Sequence, residues 1–134
     1  MAKTSTKKTG EKQGKLIMTV DDEPDIRATI RTVLEKAGFE VVMAVNGDDC
    51  LKQLDMLARQ KRKPDLILMD IMMPGTPVRE ILEKINGINV VYLSVVRMSE
   101  AEKEDLMTQK NVIGFIQKPF DIDDLVKRVK KIVA

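Results

Sequence analysis

The chain has 134 residues and is 43% hydrophobic and 33% charged, the profile of a single compact globular domain. It holds no histidine and one cysteine, Cys50, which excludes Ser-His-Asp and Cys-His catalysis, His-ligated zinc, a phosphohistidine-carrier role and an internal disulfide. No apolar run nears the ~20 residues that span a bilayer, no signal-type apolar segment follows the first lysines, and 3% aromatic content disfavours base stacking, so a cytoplasmic protein with neither membrane insertion nor a nucleic-acid partner is expected.

The net charge of +2 is uneven, with +4 over residues 1–15 and −2 over the remainder. Residues 1–14 have no apolar periodicity and are rich in Lys, Thr and Gly, which reads as a flexible basic tail. The folded domain is expected over 15–134. Leu16 to Val20 reads as a buried strand that ends in Asp21, Asp22 and Glu23. Pro24 suits the first turn of a helix, and Ile26, Ile30, Val33, Leu34 and Ala37 form one face of it. Gly38 stops that helix, and Phe39 to Val45 is a second strand. Asn46-Gly47 turns the chain, Asp48 is placed to cap a helix, and Leu51, Leu54, Leu57 and Ala58 form its inner face. Cys50 on this helix reads as a small packing residue.

A basic connector, Arg59 to Lys63, leads to the third strand, Leu66 to Met69, which closes on Asp70. Pro74 to Pro77 is a loop before a short helix with Ile81, Leu82 and Ile85, ended by Asn86-Gly87. Val90 to Ser94 is the fourth strand. Ser99 and Glu102 form a capping box for the next helix. Val112 to Ile116 is the fifth strand, and after Lys118-Pro119-Phe120, Asp121 caps a last helix whose inner face carries Ile122, Leu125, Val126, Val129, Ile132 and Val133. Strands that are apolar at nearly every position imply a parallel sheet covered on both faces. The expected fold is therefore a doubly wound α/β domain with five strands and five helices.

In such folds ligand chemistry gathers at the carboxyl ends of the strands. The polar residues delivered there are Asp21, Asp22 and Glu23, then Asp70, Ser94 and Lys118. Carboxylates that converge in one crevice repel unless some protonate or a cation joins them, and hard oxygen donors suit Mg²⁺. A lysine ammonium beside them is a point charge for a phosphoryl oxygen. With such electrophiles at hand, one aspartate can act as a nucleophile toward phosphorus.

The motifs VDDEP at 20–24, ILMDIMMPG at 67–75, YLS at 92–94 and FIQKPF at 115–120 resemble the response-regulator receiver domain of two-component signalling. The resemblance covers about residues 15–134 with the motifs in the family's order and spacing, and implies a flavodoxin-like five-stranded sheet in the order 2-1-3-4-5. It implies a stand-alone regulator that takes a phosphoryl group onto Asp70, in a Mg²⁺-dependent reaction, from the phosphohistidine of a sensor kinase or phosphotransfer protein. The surface shown to an output protein then switches. Asp22 would bind Mg²⁺ directly, Asp21 directly or through water, and the Met72 carbonyl would add a ligand. Lys118 would neutralise the phosphoryl group, Ser94 would rotate toward it, and Phe115 would be the coupled switch aromatic. An X–Pro bond is cis in only ~5–6% of folded cases, but the resemblance implies a cis Lys118-Pro119 bond that aims Lys118 back into the crevice. The uptake and loss of phosphate would be self-catalysed, with no separate enzyme activity.

The sequence departs from the family pattern at three places: Val95 follows Ser94, Thr76-Pro77-Val78 replaces the usual loop, and Asn111-Val112 replaces the usual Gly-Ala where the last strand begins. Met72 and Val96, which lie along the path of the hydrolytic water in receivers, hold no group that orients water strongly, so slow autodephosphorylation is expected. Other readings are weaker on the residues. A Mg²⁺-dependent aspartyl phosphatase wants a second Asp two positions after the nucleophile, where Met72 stands. A flavodoxin-like cofactor carrier wants a Ser/Thr/Gly-rich phosphate loop where DDEP would repel the anion. A phosphorylation-independent interaction domain does not need the complete acidic set.

Overall fold

The structure, a computed structural model, describes residues 14–71, 78–85, 87–94 and 99–134. Five strands alternate with five helices: β1 (Leu16–Val20), α1 (Pro24–Lys36), β2 (Glu40–Ala44), α2 (Gly47–Arg59), β3 (Leu66–Asp70), α3 (Val78–Lys84), β4 (Val90–Ser94), α4 (Glu100–Leu106), β5 (Val112–Gln117) and α5 (Ile122–Val133). The strands form one parallel sheet in the order β2-β1-β3-β4-β5, as expected.

Every residue of β1, β3 and β4 is buried, because helices cover both faces of the sheet. Side chains alternate across the pleat. Leu16, Met18 and Val20 join a core with Cys50, Leu57, Ile67, Met69, Ile81 and Tyr92 on the α2–α3 side. Ile17, Leu68 and Leu93 join Ile30, Leu34, Leu125 and Val129 on the α1–α5 side. Each buried Leu or Val anchor on α5 contributes about 1.5–3 kcal/mol against exposure, so the last helix is held chiefly by Leu125 and Val129.

Helix ends account for most of the differences from the expected elements. β2 starts at Glu40, not Phe39, because Phe39 closes α1. Its N–H donates to the Leu34 carbonyl at 3.0 Å and that of Gly38 to the Glu35 carbonyl at 3.0 Å, the two hydrogen bonds of a Schellman turn, with Gly38 at φ +99°. α2 is capped by Asn46 rather than Asp48: Asn46 Oδ1 accepts from the Asp49 N–H at 2.8 Å, and Asp49 Oδ2 accepts from the Val45 N–H at 2.9 Å. Asp48 then sits in the first turn, where its charge suits the helix dipole. Ala58 is exposed, since α2 buries Gly47, Cys50 and Leu57 instead. Ile122, at the first position of α5, is also exposed, because the helix meets the sheet one turn later at Leu125. The Ser99–Glu102 capping box is present in both directions, and Asp121 caps α5 through the Asp124 N–H at 3.1 Å. β5 extends to Gln117, opposite Ser94. The expected tail over 1–14 lies, but for Gly14, outside the described residues.

Candidate functional site

Parallel register brings the strand ends together. Val20 of β1 faces Met69 of β3, Asp70 faces Leu93 of β4, and Ser94 faces Gln117 of β5. Asp21, Asp70, Ser94 and Lys118 therefore follow one another along the carboxyl edge of four adjacent strands. All four are buried, which for the charged three, Asp21, Asp70 and Lys118, is unusual unless they are paired.

Lys118 is the hub. Its Nζ donates to Asp21 Oδ2 at 2.7 Å and lies 3.5 Å from Asp70 Oδ2 and 3.7 Å from Glu23 Oε1. Burial alone would push the ammonium pKa down. The hydrogen bond and charge of Asp21, with Asp70 and Glu23 behind them, outweigh that and hold it above its ordinary value. The backbone before the lysine is anchored by its N–H donating to the Ser94 carbonyl at 2.7 Å, and the Lys118-Pro119 peptide is cis.

Asp21 is fixed at every polar atom. Its N–H donates to the Ala44 carbonyl at 3.1 Å, Oδ1 accepts the Glu23 N–H at 2.9 Å, Oδ2 takes Lys118, and its carbonyl accepts from Arg27 Nη1 at 2.6 Å. Asp22, next along, is exposed. Carboxylate oxygens of Asp21, Asp22 and Asp70 all lie within 4.8 Å of one another. Ligands of an octahedral Mg²⁺ at ~2.1 Å stand about 3.0 Å apart when adjacent and about 4.2 Å apart when opposite, so this hard-oxygen set is gathered on the scale of a divalent-cation site and would draw in around the ion. The charges agree with this: the carboxylates of Asp21, Asp22, Glu23 and Asp70 outnumber the cations Lys118 and Arg27 by two.

The remaining expected residues fall as follows. Phe115 is half-buried on β5, away from the carboxyl edge, with its ring centroid 5.4 Å from that of Tyr92 at an interplanar angle of 41°. Tyr92 is its register partner and a fully buried core residue. Arg128 of α5 donates to the Phe115 carbonyl at 3.1 Å. Met72, Val95 and Val96, with most of the Thr76-Pro77-Val78 loop, lie outside the described residues.

Sequence reasoning gave no role to Arg27, to Glu23 as a partner of Lys118, or to Tyr92. The signal for Arg27 was its place six residues after Asp21, early in α1, where helical side chains lean back toward the amino end. Glu23 is the N-cap residue of α1 yet makes no capping bond with its side chain, which leaves its carboxylate for Lys118.

Comparison with known proteins agrees with the site. The family model "Response regulator receiver domain" matches residues 17–130. The chain is 34% identical over 118 residues to sporulation initiation phosphotransferase F of Bacillus subtilis (strain 168), covering 86% of this chain and 90% of that protein. It is 35% identical over 124 residues to the phosphate regulon transcriptional regulatory protein PhoB of Pseudomonas aeruginosa, covering 90% of this chain but 52% of that longer protein. Among solved structures, a CheY-like receiver domain protein from Methanospirillum hungatei superposes with a TM-score of 0.73 at 30% identity, over 89% of this chain and 94% of the other. Receiver domains are signalling modules that bind Mg²⁺ in an acidic pocket and interact with histidine kinases or phosphotransfer proteins and with effectors. An acidic edge bound to a buried lysine, on a 2-1-3-4-5 parallel sheet, together with a family match over most of its length, makes this chain a member of the response-regulator receiver domain family.

Proposed function

We propose that this receiver takes a phosphoryl group onto Asp70 and works as a stand-alone cytoplasmic switch between a histidine kinase or phosphotransfer protein and an output partner. The observation that carries the reading is the Lys118 ammonium placed between Asp21 and Asp70, at 2.7 and 3.5 Å, beside an acidic set that suits one divalent cation. High coverage of sporulation initiation phosphotransferase F, a protein named for phosphotransfer, supports it.

An Asp70 carboxylate oxygen attacks phosphorus, a P–O bond forms as the P–N bond to the donor imidazole breaks, and the imidazole leaves with the electron pair. Asp22 and Asp70, with Asp21 directly or through water, would hold Mg²⁺, which supplies charge neutralisation for the phosphoryl oxygens. Lys118 moves its interaction from the Asp70 carboxylate to a phosphoryl oxygen and keeps its bond to Asp21. Ser94, at the adjacent strand end, donates its hydroxyl to another phosphoryl oxygen. Phe115, whose ring packs at a tilt against that of Tyr92, two residues before Ser94, is the aromatic whose packing follows that movement. The chemistry is self-catalysed and consumes one donor per cycle.

Intact-mass spectrometry after incubation with acetyl phosphate and Mg²⁺ tests the assignment. The wild type gains ~80 Da, one phosphoryl group on the nucleophile, and Asp70→Asn gains none. Equal labelling of both proteins would remove Asp70 as the acceptor.

A further inference from the structure

The acidic loop between β1 and α1 is bracketed by three hydrogen bonds. Asp21 Oδ1 accepts the Glu23 N–H at 2.9 Å, the Glu23 carbonyl accepts the Arg27 N–H at 3.1 Å, and the Asp21 carbonyl accepts Arg27 Nη1 at 2.6 Å. Two of the three come from Arg27, one from its backbone and one from its half-buried side chain. Asp22 lies between the bracketed residues, is exposed, and contributes an oxygen to the 4.8 Å carboxylate cluster. Its position is therefore set by what grips its neighbours.

We propose that Arg27 is a positioning residue for the cation site, acting through the Asp21 carbonyl to hold Asp22 where it can ligate Mg²⁺. This rests on the reading of Asp21, Asp22 and Asp70 as the cation-binding set. Two effects of the guanidinium oppose each other. Its positive charge lowers the pull of the cluster on a divalent ion, whereas its hydrogen bond removes the entropy cost of ordering the loop on binding. The charge sits on a backbone carbonyl that faces helix α1, and the bond fixes the residue immediately before the ligand. Positioning is therefore the larger effect, and loss of Arg27 weakens Mg²⁺ binding even though it leaves the site more negative. Residues that orient metal ligands from behind are commonly worth 10–100-fold in affinity, and a backbone clamp on an exposed loop belongs near the lower end.

Calorimetric titration of the full chain with Mg²⁺ tests this, with thermal unfolding of the metal-free proteins recorded in parallel. Arg27→Met, which keeps the aliphatic stem, weakens Mg²⁺ binding by about tenfold. Arg27→Lys, which keeps the charge and one donor, recovers part of the loss. Unchanged Mg²⁺ affinity with a lower metal-free melting temperature would make Arg27 a plain fold contact and overturn the inference. Tighter binding in Arg27→Met would overturn it too, by showing that charge outweighs positioning. Should Arg27→Met fail to fold, undiminished affinity in Arg27→Lys overturns the inference in its place. No binding to the wild type removes the cation-site reading itself, whereas wild-type binding with unaltered variants removes only the role of Arg27.

Discussion

Two ion pairs of nearly equal length lie at opposite ends of the sheet. Lys118–Asp21, at the carboxyl end of β1 and β5, is 2.7 Å long with side chains 4% and 0% exposed. Arg62–Glu40, at the amino end of β2, is 2.6 Å long with side chains 38% and 45% exposed. Geometry alone would rank them together. Burial separates them, because an exposed pair is solvated in both the joined and separated states and contributes little. A buried one has surrendered its hydration and depends on its partner. The second joins the α2–β3 connector to an edge strand. The first draws three carboxylates around one ammonium, which serves a fold poorly and a phosphoryl group well.

The largest effect should come from breaking the buried pair. Lys118→Met leaves the carboxylates of Asp21 and Asp70 desolvated and facing each other. Loss of one partner of a buried pair costs about 3–5 kcal/mol, and urea unfolding without divalent metal should show a loss of that order, partly restored by millimolar Mg²⁺. A loss below about 1 kcal/mol, the range of exposed pairs, would mean the two ends of the sheet do not differ as argued.

Metal dependence sharpens the same contrast. If Mg²⁺ binds the folded acidic cluster and not the unfolded chain, it should raise the melting temperature of the wild type. Asp22→Ala should remove most of that rise. A full response in the variant would place the cation elsewhere. The smallest effect belongs to the exposed pair. Arg62→Ala should change stability by about 0.2–1 kcal/mol, shrinking as salt is added, with no change in phosphoryl uptake from acetyl phosphate. A drop in uptake would tie the amino end of the sheet to the site.

Much of this is legible in the order of residues alone. Charged residues at the close of apolar runs, directly at Asp21 and Asp70 and one residue later at Lys118, mark strand ends, and a doubly wound sheet gathers strand ends into one crevice. Less legible is anything that depends on which of two suitable residues a local bond selects. Asn46 and Asp48 are both good caps, and only the helix start favours Asn46. Phe39 continues the apolar run of β2, yet its N–H is spent on closing α1. Ala58 and Ile122 satisfy the helical spacing but are exposed, Ala58 beside the buried Leu57 and Ile122 one turn before the buried Leu125. An arginine on an amphipathic helix reads as a solvated charge, so the grip of Arg27 on the Asp21 carbonyl needed three dimensions to be seen.

Cys50 has a practical consequence. It is fully buried on the inner face of α2, its Sγ lies 3.7 Å from Met18 Sδ, and burial, aided by the charge of Asp49, pushes the thiol pKa up to about 12. Thiol reagents attack the thiolate, so the folded chain resists modification at neutral pH and reacts only when β1 and α2 part. With one cysteine in the whole sequence, the rate of labelling by a disulfide reagent becomes a clock for opening of the domain. Acidic-cluster variants, with and without Mg²⁺, can be compared on that clock without a fluorophore or a tag.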